Sequence, residues 1–156
     1  MLKSCRAQQI HTAVDTSGFA AWDTLERLRG YVDLFLYDLK VMDDARHREF
    51  TGVSNQLILS NLVALAERGH NINLRVAIIP GLNDDADNLR RTAGFAAALP
   101  QAPVVSILPY HQTALDKYNR LHKAYTLTEI RPPSAERMAE IAATFRAFGL
   151  QVKIGG

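Results

Sequence analysis

Carboxylates, a lysine and a histidine stand directly behind apolar runs in this chain. Residues 10–14 run into Asp15 and Thr16, residues 34–37 into Asp38-Leu39-Lys40, and residues 104–110 into His111. Asp38 and Lys40 have the two-residue spacing that sends both side chains to the same side of an extended strand. Facing a barrel interior, such charges must pair with each other or meet a ligand, because an unpaired buried charge is very costly. Arg75 lies inside an apolar run beside Val76, so it too must find a carboxylate or a backbone acceptor, or point into a wet mouth. The chemistry on offer is simple. Hard carboxylate oxygens suit an alkali cation, and an ammonium suits a carboxylate.

Each cluster has a plainer alternative. Asp15, with Thr16, Ser17 and Gly18 behind it, could cap the helix that starts near Trp22. Asp38 and Lys40 could be a structural ion pair, and His111 after Pro109-Tyr110 an ordinary hydrogen-bonded side chain. Pro80-Gly81-Leu82-Asn83-Asp84-Asp85 reads as a turn whose acids start the next helix. Taken together these alternatives weaken, since independent caps and surface pairs have no reason to fall at the same end of successive parallel strands. In α/β folds that end gathers ligands.

The elements that must hold these residues alternate. Residues 10–14, 34–37, 74–79 and 104–108 are short, mostly apolar runs without regular alternation, as expected for parallel strands buried on both faces. Residues 151–154 form a last short strand. Helices are expected over 22–29, 44–50, 55–68 with Gly69 as a stop, and 87–99 ended by Pro100. Ser134 caps a final helix whose apolar stripe is Met138, Ile141, Ala142, Phe145 and Phe148, ending at Gly149. Residues 110–133 exceed usual connection lengths and read as a functional loop over the mouth with a short helix inside it. The class is α/β with a parallel sheet. A complete eight-fold barrel typically needs about 250 residues, so four or five strands make either a small open sheet or part of a larger barrel. Residues 1–9 read as the tail of a helix with no capping signal before it, which points to a chain truncated at its N-terminus.

With 156 residues and 47% hydrophobic content, residues 1–156 are expected to form a single domain with a filled core. A net charge of +2, evenly spread, gives no basic stripe for nucleic acid. No apolar run approaches the roughly 18 to 20 residues needed to cross a bilayer, and no signal-peptide core follows Met1, so neither a membrane nor secretion is expected and the default is cytoplasmic. Cys5 is the single cysteine, which excludes an intrachain disulfide and any cysteine-only metal or iron–sulfur site built from this chain.

Five motifs in matching order resemble the radical S-adenosylmethionine activating enzymes of glycyl radical enzymes, the pyruvate formate-lyase activating type. They are His11-Thr12-Ala13-Val14-Asp15-Thr16-Ser17-Gly18, Tyr37-Asp38-Leu39-Lys40, Phe50-Thr51-Gly52-Val53-Ser54-Asn55, Arg75-Val76-Ala77-Ile78-Ile79-Pro80-Gly81 and Leu108-Pro109-Tyr110-His111. The resemblance covers nearly all of the chain. It implies a partial (β/α)6, TIM-like barrel in which S-adenosylmethionine chelates one iron of a [4Fe-4S] cluster. The reduced cluster cleaves the sulfonium, and the 5′-deoxyadenosyl radical takes hydrogen from a glycine of the partner enzyme. It further implies that Asp38, Lys40 and His111 contact S-adenosylmethionine. Asp15 and Thr16, with Asp38 and the Leu39 carbonyl, would form a monovalent-cation site beside the methionyl carboxylate. Arg75 would face the glycyl loop of the protein substrate, and a flavodoxin or ferredoxin would supply the electron.

The departure from that pattern is large. The CxxxCxxC segment that binds the cluster and the Gly-Gly-Glu segment that holds the methionyl amine are missing, and one cysteine cannot replace three thiolates. The chain therefore resembles the C-terminal half to two-thirds of an activase, inert alone and with weak affinity at most for S-adenosylmethionine. The strand over 10–14 should expose an unpaired edge, through which the fragment would self-associate. Asp38-x-Lys40-x-x-Asp43 also fits decarboxylases related to orotidine monophosphate decarboxylase, but these need a phosphate-binding loop near the barrel's end, where this chain has a helix, a short strand and Gly155-Gly156. A non-catalytic domain that binds the glycyl radical protein is the other alternative.

Overall fold

The computed structural model describes residues 1–111 and 130–155. Five strands, β1 (Ala13–Thr16), β2 (Leu34–Leu39), β3 (Ile72–Ile78), β4 (Val104–Pro109) and β5 (Val152–Ile154), form one sheet in the order of the chain, every neighbouring pair parallel. Six helices are described: α1 (Leu2–Ala7), α2 (Trp22–Arg29), α3 (Asp44–Thr51), α4 (Gln56–Glu67), α5 (Ala86–Ala97) and α6 (Ala135–Ala147). The sheet does not close. Its edges are β1 and β5, as in a partial barrel. Among the described residues no helix is long and apolar enough to cross a membrane.

The expectation of strands buried on both faces fails in an instructive way. Burial alternates along β2 and β3: Phe35, Tyr37, Leu39, Ile72, Leu74, Val76 and Ile78 are buried in the core with Leu62, Leu65, Ile141 and Phe145 of the helices. The intervening Leu34, Leu36, Asp38, Asn73 and Arg75 are half-buried and Ala77 is exposed. Leucines on the open face hid the period of two from the sequence pattern.

Several boundaries shift for local reasons. The first strand begins at Ala13 rather than residue 10, because the Ile10 N–H bonds the Cys5 carbonyl at the end of α1 and the Thr12 N–H bonds Asp33 Oδ2 at 2.8 Å. Ile10 is left exposed. Phe148, expected in the apolar stripe of the last helix, is also exposed; it lies against Gly94 of α5. Ser134 caps α6 as expected, accepting from the Arg137 N–H, and Asp85 caps α5. The greater part of the expected loop over 110–133 lies outside the described residues.

Two turns set the carboxyl-end rim. Gly18, at φ +73°, sits where a Cβ would fall 1.6 Å from Tyr37 Oη, so only glycine fits there. Asn61 of α4 holds this turn, donating to the Gly18 and Ala20 carbonyls at 2.8 Å each. The segment Phe50-Thr51-Gly52-Val53-Ser54-Asn55 is the α3–α4 turn. Gly52 closes α3 at φ +79°, and Asp44 accepts from Ser54 Oγ at 2.6 Å and from the Asn55 N–H at 2.9 Å. The Ser54 hydroxyl and the Arg48 guanidinium hold the Asp44 carboxyl at a pKa of about 2.

Candidate functional site

The charges gather where β1, β2 and β3 end. Asp38 and Arg75 are register partners on adjacent strands and face the open side of the sheet. The Arg75 fork takes both neighbouring carboxylates. Its Nε donates to Asp38 Oδ1 at 2.8 Å, its Nη2 lies 2.8 Å from the same oxygen, and Nη2 also donates to Asp15 Oδ1. Burial disfavours the guanidinium charge, but the Asp15 and Asp38 hydrogen bonds and charges outweigh it and raise the Arg75 pKa. Lys40 Nζ stands 3.6 Å from the other Asp38 oxygen. Side-chain exposure is 20% for Arg75, 31% for Asp38, 46% for Lys40 and 62% for Asp15, so the cluster is paired yet open to solvent.

The plainer reading of Asp15 is excluded: α2 has no side-chain cap, and Asp15 bonds Arg75 instead. The paired-ion alternative for Asp38 and Lys40 describes what is seen, enlarged by Arg75 and Asp15 into two carboxylates against two cations. Thr16 points to the other side of β1 from Asp15, and its Oγ1 accepts from the Gly18 N–H at 2.9 Å. The Leu39 side chain is buried in the core. His111 is exposed just past β4, where the preceding Tyr110 N–H bonds the Ile78 carbonyl at 3.0 Å. It therefore stands at the same carboxyl-end rim.

Sequence reasoning missed what ties down the backbone beside this rim. Three buried asparagines, Asn55, Asn83 and Asn88, bond the backbone of residues 40–42, the stretch that carries Lys40. Asn83 had the signature of a turn residue only; the one available hint was that a turn carrying Asn-Asp after a buried strand must satisfy its amide somewhere. Across the sheet the Asp38 and Arg75 row continues through Ser106 and Lys153. A separate cavity of about 330 Å³, lined by His70, Asn71, Gln101 and Lys153 among others, opens at the opposite, amino-terminal ends of the strands.

Among the described residues no three or more His, Cys, Asp or Glu converge as metal ligands. With one cysteine the chain does not offer the thiolates an iron–sulfur cluster requires. The open, charged rim does fit a small zwitterion, because Lys40 and Arg75 can meet a carboxylate and Asp15 and Asp38 an ammonium.

No family model matches the chain. A trans-4-hydroxy-L-proline dehydratase activating enzyme of Clostridioides difficile is 41% identical over 100% of this chain and 52% of its own length. The chain spans about half the length of such curated relatives. The crystal structure of a domain of pyruvate-formate lyase-activating enzyme from Bacteroides vulgatus superposes with a TM-score of 0.84 at 34% identity, covering 99% of this chain and 87% of that domain. A radical SAM methyltransferase from Sphaerobacter thermophilus shares the fold at a TM-score of 0.70, 18% identity, 94% of this chain and 41% of its own. With its parallel open sheet, its charged rim and a likeness that runs along nearly the whole chain, this protein belongs to the family of glycyl-radical-enzyme activating enzymes.

Proposed function

We propose that the chain is the C-terminal part of a radical S-adenosylmethionine activase that generates a glycyl radical on a partner enzyme such as pyruvate formate-lyase, and that residues 1–156 act as one domain. The observation that carries this is the 34% identity along 99% of the chain to a domain of a pyruvate-formate lyase-activating enzyme. Asp38, Lys40 and His111 would hold S-adenosylmethionine, with the Lys40 ammonium on the methionyl carboxylate. Bound on a reduced [4Fe-4S] cluster, that cofactor supplies the 5′-deoxyadenosyl radical. The cluster thiolates are not in this sequence, so the residues here bind, orient and neutralise.

Arg75 links two of these roles. Bridging Asp15 and Asp38, it keeps the carboxylates neutralised and in place. A monovalent cation held by Asp15, Asp38 and the Leu39 carbonyl would replace the guanidinium there, without the Thr16 hydroxyl, which points to the other side of β1. Arg75, so released, would be free to meet the glycyl segment of the protein substrate. A flavodoxin or ferredoxin would serve as electron donor.

The test is reconstitution with iron and sulfide followed by an assay for 5′-deoxyadenosine. This chain alone is expected to give none, whereas a chimera carrying a relative's CxxxCxxC segment ahead of it gives product and a glycyl radical signal on the partner. Turnover by the unassisted chain, or a silent chimera that loads its cluster, would overturn the reading.

A further inference from the structure

Lys40, Val41 and Met42 lie between β2 and α3, outside the sheet ladder, yet three buried amides tie them down. Asn55 Nδ2 donates to the Val41 and Met42 carbonyls at 3.0 and 3.1 Å. Asn88 Oδ1 accepts from the Met42 N–H at 2.8 Å, and its Nδ2 donates to the Asn83 carbonyl at 2.8 Å. Asn83 Nδ2 donates to the Lys40 carbonyl at 3.0 Å and to the Ala77 carbonyl at 2.7 Å, while its Oδ1 accepts from the Ile79 N–H at 2.8 Å.

The Asn83 contacts differ in kind from the other two. The last ladder pair between β2 and β3 is Leu39 with Val76. One step further the carbonyls of Lys40 and Ala77, from the two strands, bond one amide nitrogen that is itself in a 3% exposed residue. The side chain thus adds a rung to the ladder just beyond the Asp38 and Arg75 pair. Lys40 is otherwise loosely held: its side chain is half-exposed and its ammonium is 3.6 Å from Asp38. Its direction is set by its backbone.

We infer that Asn83 is a positioning residue for the rim: by tying the Lys40 and Ala77 carbonyls together it holds the Lys40 ammonium beside Asp38, in the place where a ligand carboxylate would meet it. The ligand half of this inference rests on the function proposed above; the holding of Lys40 does not. The group must be an amide. Both its N–H bonds and its oxygen are used, so alanine would take the partner from three part-buried backbone groups, and a carboxylate would set negative oxygen against two carbonyls.

Asn83→Asp, Asn83→Ala and, as a control on the same segment, Asn55→Ala can be compared with the unsubstituted chain by NMR. In both Asn83 variants the Lys40 side-chain signals are expected to move toward those of a free lysine, more than in Asn55→Ala, and S-adenosylmethionine to bind about tenfold more weakly. In Asn83→Asp alone, mild acidification should recover part of the binding, because a protonated carboxyl can again donate. Lys40 signals that stay put in folded Asn83 variants, or that move equally in Asn55→Ala, overturn the inference. So does unchanged affinity in the Asn83 variants when Lys40→Met abolishes binding. If Lys40→Met binds as tightly as the unsubstituted chain, the ligand reading fails, and the Lys40 signals still decide the positioning.

Discussion

Along β3, Ile72, Leu74, Val76 and Ile78 pack under the helices, each less than a tenth exposed, while Asn73, Arg75 and Ala77, one step along the same strand, face the open side. The first set carries fold stability through apolar burial. The second carries paired charge that is open to solvent. A parallel strand can thus serve both purposes because its side chains alternate, and substitutions on the two faces should separate stability from binding.

The largest expected effect is on the packed face. Leu74→Ala should cost about 2–5 kcal/mol, read as a drop in the denaturant midpoint, because Leu74 is fully buried and its truncation leaves a cavity in the core. Leu36→Ala, on the open side, should cost about 1 kcal/mol. Equal losses would mean that the open side is covered in solution, for example by self-association at the β1 edge.

Arg75→Met comes next. It leaves Asp15 and Asp38 without their shared counter-ion, at a cost of about 1–2 kcal/mol for so solvent-open a cluster. In an Asp38→Asn background the cost should shrink, giving a coupling of about 1 kcal/mol in the double-mutant cycle. No coupling would mean that Arg75 does not hold Asp38 in solution.

The smallest effect is one of pH. The Ser54 and Arg48 contacts keep the folded Asp44 pKa, at about 2, below that of the unfolded chain, so this stabilisation is present at neutral pH. It is lost as pH falls through the carboxylate range toward 2. Asp44→Asn should lower stability at neutral pH and flatten the acid limb of a stability-versus-pH curve. An acid limb of unchanged slope contradicts the assignment.

The parts of this arrangement that sequence could disclose follow local rules. The caps at Ser134 and Asp85, the α/β alternation and the polar residues behind apolar runs depend on neighbours in the chain. The clasp of Asp15, Arg75 and Asp38 depends on the register of three strands separated by dozens of residues, which no spacing rule states. Period-two reasoning paired Asp38 with Lys40, but Lys40 lies past the end of β2 and is aimed by Asn83, a residue whose type signals only a turn. The start of β1 was misjudged because Ile10 looks like strand while its N–H belongs to the end of α1.

Titration of S-adenosylmethionine into isotopically labelled chain, followed residue by residue, tests the central claim most directly. The account predicts saturable shifts at Asp38, Lys40 and His111, abolished by Lys40→Met. Shifts confined to the opposite rim around Asn71 and Gln101, or shifts at Lys40 and His111 that persist unchanged in Lys40→Met, would contradict it.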